Sequence, residues 1–282
     1  MPDPSVTIVV LCYNQGHLLG ECLQSLRDQT RQDWRALVVE NGSTDGTTPG
    51  LCDSFADEQI QVLHLPHNLG IAMARQAALP HVDTEIAMRL DGDDKLAPTY
   101  LEKTVPLLLS APDIGLAYTN YQKFGLETGV MTYRPFDEAT LYRDQIIPSG
   151  ALVRRSAWAG TRGQHPDFPT GNEDYDFFLT LVEGGYRGIW LNEPLYFYRI
   201  HNASWSAAND DSNYKQRLLL LQHHAAGFAK HEAAKGFLRD TYLREARRLT
   251  HIGQRWAARR MYARMARVDP TAGVAWWGII WP

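Results

Sequence analysis

Thiols are scarce in this chain of 282 residues: Cys12, Cys22 and Cys52 are the only cysteines, all near the N-terminus and none in C-x-x-C spacing. That pattern excludes a disulfide framework or a zinc knuckle and fits reduced, buried thiols. Long apolar runs are missing too, and no segment reaches the length needed to span a bilayer. Met1-Pro2-Asp3-Pro4 has no basic stretch leading into an apolar one, so a secretory signal is not expected and the expected location is cytoplasmic. Charge of one sign is not in excess either. A formal net charge of -4 argues against a general polyanion binder, and nucleic acid is not expected as a partner. The length suits one large domain, or one domain with an appendage.

What is present is an alternation of strand and helix. Val6 to Cys12 is a short apolar, β-branched run ended by the turn formers Tyr13-Asn14-Gln15-Gly16. Leu18, Leu19, Cys22, Leu23 and Leu26 then recur at helical spacing. Ala36 to Val39 and Ile60 to Leu65 read as further strands, Leu69 to Leu79 as a helix, and Ile86 to Asp91 as a fourth strand. Four such alternations imply an α/β fold: a mostly parallel, Rossmann-like central sheet with helices on both faces. Ligands then bind beyond the carboxyl ends of the strands, where the polar loops after Cys12, Val39 and Leu90 converge.

The fourth strand ends in Asp91-Gly92-Asp93-Asp94. Three carboxylates within four positions repel one another unless a cation or a donor-rich partner neutralises them. Hard divalent ions take such oxygens and complete their shells with substrate phosphates. A solvated acidic turn is the alternative for the motif taken alone, and the three converging loops favour the metal.

Five stretches in order carry a family resemblance: Thr7 to Asn14; Leu19 to Thr30; Val38-Val39-Glu40-Asn41-Gly42-Ser43-Thr44-Asp45-Gly46-Thr47; His67-Asn68-Leu69-Gly70 with Ala74-Arg75; and Leu90 to Asp94. Together they resemble the signatures of family 2 glycosyltransferases of the GT-A fold. Leu11 departs from the family, which usually has proline there, and is expected to alter the strand end rather than the chemistry. The resemblance implies a nucleotide diphosphate sugar lying across these loops. Cys12, Tyr13 and Asn14 with Glu40 and Asn41 would hold base and ribose, Arg75 would lie near the base or diphosphate, and Asp91 with Gly92 would sit near the ribose. Asp93 would bind the Mn2+ or Mg2+ that bridges both phosphates. A carboxylate at Glu40 suits a base N–H or ribose hydroxyl, and the Arg75 fork suits phosphate. A capping turn at Glu40-Asn41 and a surface or core-covering Arg75 are the structural alternatives.

From Pro98 to Leu109 a helix is expected, from Ile114 to Tyr118 a strand, and from Ile146 to Val153 another strand with small residues at its centre. Tyr121 to Gln145 fits a hairpin or excursion facing the second substrate. Asn172-Glu173-Asp174-Tyr175-Asp176 opens a further helix, where the helix dipole alone favours acids. In the family this is the Glu-Asp pair, which implies Asp174 as catalytic base and Glu173 as an acceptor-positioning residue, with Asp176 as a capping group. A strand at Gly188 to Leu191 leads to Tyr198-Arg199-Ile200-His201-Asn202-Ala203-Ser204, resembling the family segment that closes the site. There His201 would be a further metal ligand or diphosphate contact, sensible chemistry because Mn2+ accepts nitrogen as well as oxygen.

The expected organisation is a GT-A domain over 1–205, with a nucleotide-sugar half to about 97 and an acceptor half from about 98, then a helical extension over 206–282. Nine arginines between Arg239 and Arg267 face only Asp240 and Glu245, and Arg244, Arg248, Arg255 and Arg259 are expected on one helical face. Leu238, Tyr242, Leu249 and Trp256 would form an apolar face beside it. With Trp276, Trp277 and Trp281 near the end, this suits either a peripheral membrane contact or a solvated helical pair covering the sheet. The function expected is inverting transfer of a sugar, a UDP-sugar favoured, to a glycan or lipid-linked acceptor hydroxyl in bacterial-type surface polysaccharide synthesis. The competing class is a non-catalytic nucleotide- or glycan-binding module that kept the fold.

Overall fold

The computed structural model describes residues 5–160, 165–168, 171–201 and 213–273. In the first half β1 (Val6–Cys12), α1 (Gly16–Arg27), β2 (Trp34–Glu40), α2 (Thr48–Ser54), β3 (Ile60–His64), α3 (Gly70–Ala78) and β4 (Ile86–Asp91) follow in turn. All seven residues of β1 are buried because both faces of the strand are covered. Its side chains alternate between two cores. Val9 and Leu11 join Leu37, Val39 and the α3 residues Ala74 and Ala78 on one face. Val6, Ile8, Val10 and Cys12 join Leu19, Cys22, Leu23 and Leu26 of α1 on the other. A fully buried Val, Leu or Ile contributes about 1.5–3 kcal/mol, so this double burial outweighs any local preference of the chain.

The second half adds β5 (Lys95–Leu96), α4 (Tyr100–Leu109), β6 (Ile114–Gly125), β7 (Gly129–Met131), α5 (Glu138–Leu141), β8 (Leu152–Arg154), α6 (Arg155–Ala159), α7 (Glu173–Glu183) and β9 (Arg187–Ile200). The sheet order is β3-β2-β1-β4-β8-β6-β9-β5, with β7 on β6. Pairs among β1 to β4 are parallel, as is β6 with β9, while β8 runs antiparallel to both β4 and β6. The chain reverses its direction of travel across the sheet between β1 and β4, which opens a crevice at their carboxyl ends.

Three expectations are refined or corrected here. The strand expected over Ile146 to Val153 is confined to Leu152–Arg154, because Ile146 and Ile147 are buried in coil and only the end of the run finds partners. The hairpin expected within Tyr121 to Gln145 is present as β6–β7, followed by the short α5. The third lies in the extension, which forms α8 (Asn213–His223), α9 (Ala225–Lys230), α10 (Ala234–His251) and α11 (Arg255–Val268). Gly253, at φ +76°, breaks the helix between α10 and α11, so Arg244 and Arg248 do not share a face with Arg255 and Arg259. Leu249 packs with Tyr262 and Met265 inside this helical hairpin, whereas Trp256 is 78% exposed. Ser204 and the tryptophans at 276, 277 and 281 lie outside the described residues.

Candidate active site

The acidic turn at the end of β4 is packed against the end of β1. The Gly92 amide donates to the Leu11 carbonyl at 2.9 Å, and a Cβ there would stand 2.9 Å from that same oxygen, so glycine is required for the close approach. The Asp94 amide donates to the Asp91 carbonyl at 3.0 Å and tightens the turn. The three carboxylates separate by pointing to three different partners.

Asp91 Oδ1 accepts from Arg75 Nη2 at 2.6 Å. Asp93 Oδ2 lies 2.8 Å from His201 Nε2. Asp94 is 1% exposed and accepts from the Tyr196 hydroxyl at 2.6 Å and the Arg199 amide at 2.8 Å. Burial, then the charges of Asp93 and Asp91, raises the Asp94 carboxyl well above its ordinary value. Burial and Asp91 raise Asp93 as well, with the His201 contact opposing. Arg199 braces the turn from outside: its Nε donates to the Asp93 carbonyl at 2.7 Å, and its Nη2 pairs with Glu21 at 3.1 Å.

Arg75 joins this turn to α7. Its guanidinium is 3% exposed, and Nη1 reaches Glu173 Oε1 at 3.1 Å. Burial works against its charge, but Asp91, Glu173 and Asp174 outweigh that and hold its pKa above the usual value. Glu173 responds oppositely. Burial, then the charge of Asp174, pushes it up to about 7 although Arg75 pulls it down. Asp174 occupies the first turn of α7, where Oδ2 accepts from Gln145 Nε2 at 2.7 Å and Oδ1 from the Tyr175 amide at 2.8 Å. Beneath it, Arg89 breaks the apolar run of β4 and lies over the rings of Phe177 and Phe178, 4.5 and 5.0 Å from their centroids.

The loops after β1 and β2 are tied to each other. Asn14 takes a left-handed φ of 53°, and its Oδ1 accepts from the Thr44 amide at 2.8 Å and the Asp45 amide at 3.2 Å. Glu40 Oε1 accepts from the Ser43 amide at 2.6 Å, and Asn41 Oδ1 accepts from the Leu69 amide at 3.0 Å. Both are nearly fully buried, so these side chains shape the loop walls. Cys12 turns its thiol into the core, and its carbonyl accepts from the Asn41 amide at 2.9 Å. Tyr13 follows at the open end of β1. The structure thus gathers the residues after β1, the Asp91–Asp94 turn, Arg75, the start of α7 and His201 around one crevice. Glu40 and Asn41 stand one strand to the side. Gln145 was not identifiable from sequence, since a lone glutamine in a coil carries no pattern. Arg199 and Tyr196 were visible only as neighbours of His201.

A metal fits part of this arrangement. Asp93 Oδ2 and His201 Nε2 face each other at hydrogen-bond distance, and their side chains are 16% and 20% exposed, within reach of solvent. Oxygen and imidazole nitrogen together suit Mn2+.

The sequence model of glycosyl transferase family 2 matches residues 7–163, more than half of the 282-residue chain. The chain belongs to glycosyl transferase family 2. Among family relatives, TuaG of Bacillus subtilis (strain 168), whose name assigns it provisionally to teichuronic acid biosynthesis as a glycosyltransferase, is 28% identical over 215 residues, covering 73% of this chain and 84% of TuaG. The glucosyltransferase WfgD of Escherichia coli, named for transfer from UDP-Glc to α-D-GlcNAc-diphosphoundecaprenol, is 30% identical over 122 residues, covering 43% of this chain and 47% of WfgD. Among solved structures, S. aureus TarS 1-349 in complex with UDP-GlcNAc superposes with a TM-score of 0.70 at 14% identity, covering 97% of this chain and 87% of that one. The mannosyltransferase PcManGT from Pyrobaculum calidifontis, in complex with GDP-Man and Mn2+, gives 0.63 at 21% identity, covering 96% and 76%. These two likenesses carry the fold, which is GT-A.

Proposed function

We propose that this family 2 enzyme transfers a sugar from a nucleotide diphosphate sugar, a UDP-sugar favoured, to a hydroxyl of a glycan or lipid-linked saccharide, with inversion. The observation that carries the reading is Arg75, bonded to both Asp91 and Glu173, which holds the first turn of α7 against the acidic turn. Donor and acceptor chemistry thereby share one crevice. In this reading the donor spans the loops holding Cys12, Tyr13, Asn14, Glu40, Asn41, Arg75, Asp91 and Gly92. Asp93 and His201 would hold a divalent ion, Mn2+ or Mg2+, which when bound supplies positive charge against the departing diphosphate. Asp174 accepts the acceptor's hydroxyl proton while that oxygen bonds to the anomeric carbon and the bond from that carbon to the diphosphate oxygen breaks. One displacement inverts the centre. Gln145 holds Asp174 by one oxygen, and Glu173, tied to Arg75, lines the acceptor side.

The nucleotide-sugar half would extend to about residue 97, the acceptor half from about 98 to 205, and the extension over 206–282. The names of TuaG and WfgD support a role in surface polysaccharide synthesis. No helix among the described residues is long and apolar enough to cross a membrane. Peripheral membrane contact is supported by exposed Trp256 beside Arg255, with Arg259 5.1 Å from the indole ring. The test of the central reading is Asp174→Asn. Turnover should fall roughly 10²–10⁴-fold while affinity for UDP-sugar with Mn2+ stays near parental, read by a transfer assay beside calorimetry. Near-parental transfer would remove Asp174 from the base role, and a failure of the parent to release UDP from any UDP-sugar would favour the binding-module alternative.

A further inference from the structure

A second cluster of ligating side chains stands apart from the acidic turn. His165 and Asp167 belong to the segment 165–168, and His223 is the last residue of α8. One ligand atom from each can be chosen so that no two are more than 4.8 Å apart. Asp167 Oδ2 lies 3.5 Å from His165 Nδ1 and 3.1 Å from His223 Nε2. Ligand atoms on a tetrahedral ion with bonds of about 2.0–2.2 Å stand about 3.4 Å apart, so these two separations match a shared ion. His165 Nδ1 accepts from the Asp167 amide at 3.2 Å. An ion taking the Nδ1 lone pair would displace that amide contact.

The far side of His223 points the same way. Its Nδ1 is buried, has no hydrogen-bond partner among the described residues, and lies 3.9 Å from Asp176 Oδ1. Ligating imidazoles almost always turn their other N–H toward a carboxylate or carbonyl. Asp176, fully buried on α7, is the carboxylate on that side; its Oδ1 is held by His224 Nε2 at 2.9 Å, so His223 Nδ1 would have to close from 3.9 Å to share it. An ion pair of Asp167 with His223, at 3.1 Å, is the competing account of the cluster, and metal titration separates the two.

We propose that His165, Asp167 and His223 form a second metal site, for a borderline divalent ion of the zinc class, which pins the 165–168 segment to α8 and, through Asp176, to the helix that carries Asp174. Two imidazoles and one carboxylate suit Zn2+ or Co2+ better than Mg2+, which prefers an all-oxygen shell. The role is a clamp, independent of the donor reading. Its test uses the untagged full chain carrying Asp93→Ala, so that the donor-side carboxylate cannot contribute, and titrates Co2+ while following visible d–d absorption. One equivalent should bind with a low-symmetry spectrum, and Zn2+ should displace it and raise Tm. Adding His223→Ala should abolish the spectrum and the Tm rise. Asp167→Asn in its place, conservative and at a half-exposed position that leaves the fold intact, should weaken Co2+ at least about tenfold. Equal Co2+ affinity with and without Asp167→Asn, or no spectrum in the Asp93→Ala chain, overturns the site. Neither result bears on sugar transfer.

Discussion

Arg75→Met removes the charge that joins the two halves of the crevice while filling much of the same volume. The two carboxylates it abandons do not count equally. Asp91 has a side chain 34% exposed, so water screens the loss and its share is discounted to about 1 kcal/mol at most. Glu173 is buried, and removing one partner of a buried pair costs about 3–5 kcal/mol, but only to the extent that the carboxyl is ionised. With Arg75 in place, Glu173 is pushed to about 7 from an ordinary 4.5. Its folded-state pKa is raised, so the stability it contributes is fully present below about 4.5 and is lost as pH rises through the folded value. Removing Arg75 moves the upper end of that window higher. The variant therefore goes on losing stability where the parent has levelled off, at about 1.4 kcal/mol per unit of further shift. Near pH 6 most Glu173 is already protonated and the expected loss is about 1–2 kcal/mol. Near pH 8.5 it should be about 2 kcal/mol larger. Urea unfolding at both pH values measures this for the parent, Arg75→Met and Arg75→Met/Glu173→Gln. The double variant should show no such growth, because glutamine does not titrate. A loss of equal size at both pH values in Arg75→Met would refute the reasoning.

Asp93→Ala should abolish Mn2+-dependent binding of UDP while leaving the thermal unfolding profile cooperative. Normal calorimetric binding of nucleotide and Mn2+ by that variant would remove Asp93 from the metal site. In the extension, Arg255→Glu/Trp256→Ala/Arg259→Glu should weaken flotation with anionic vesicles at least about tenfold while transfer to a soluble acceptor persists. A parent chain that does not float with those vesicles sinks the membrane reading.

The first ninety residues were legible because burial on both faces writes a strand as an uninterrupted apolar run, as in Val6 to Cys12. The same signal misleads at Ile146 to Val153. Ile146 and Ile147 are as buried as strand residues but lie in coil, and an apolar run records burial, not hydrogen-bond partners. The arginine face failed for a different reason. Helical spacing holds only while the helix is unbroken, and Gly253 resets the phase between Arg248 and Arg255. Gln145 had no signal, because its use depends on a carboxylate twenty-nine positions away in sequence. The acidic turn itself was plain, and the family resemblance set Asp93 apart as its metal carboxylate, but the residues alone gave no reason to choose it.

That division follows from partners supplied by distant elements. Asp91 is answered by Arg75 from α3, a cation that keeps its proton at any relevant pH. Asp94 is answered by a phenol and a backbone amide from β9, both inside the protein and both neutral, and burial drives its carboxyl toward the protonated form. Asp93 differs from both. Its partner is an imidazole, whose ring nitrogen can ligate a metal ion without leaving its place. A divalent ion arriving between Asp93 Oδ2 and His201 Nε2 would replace a hydrogen bond with two coordinate bonds, while the same ion at Asp91 or Asp94 would have to break an ion pair or a buried network. The physical case for Asp93 among three neighbouring aspartates thus rests on what stands opposite it, an imidazole more than a hundred residues away along the chain.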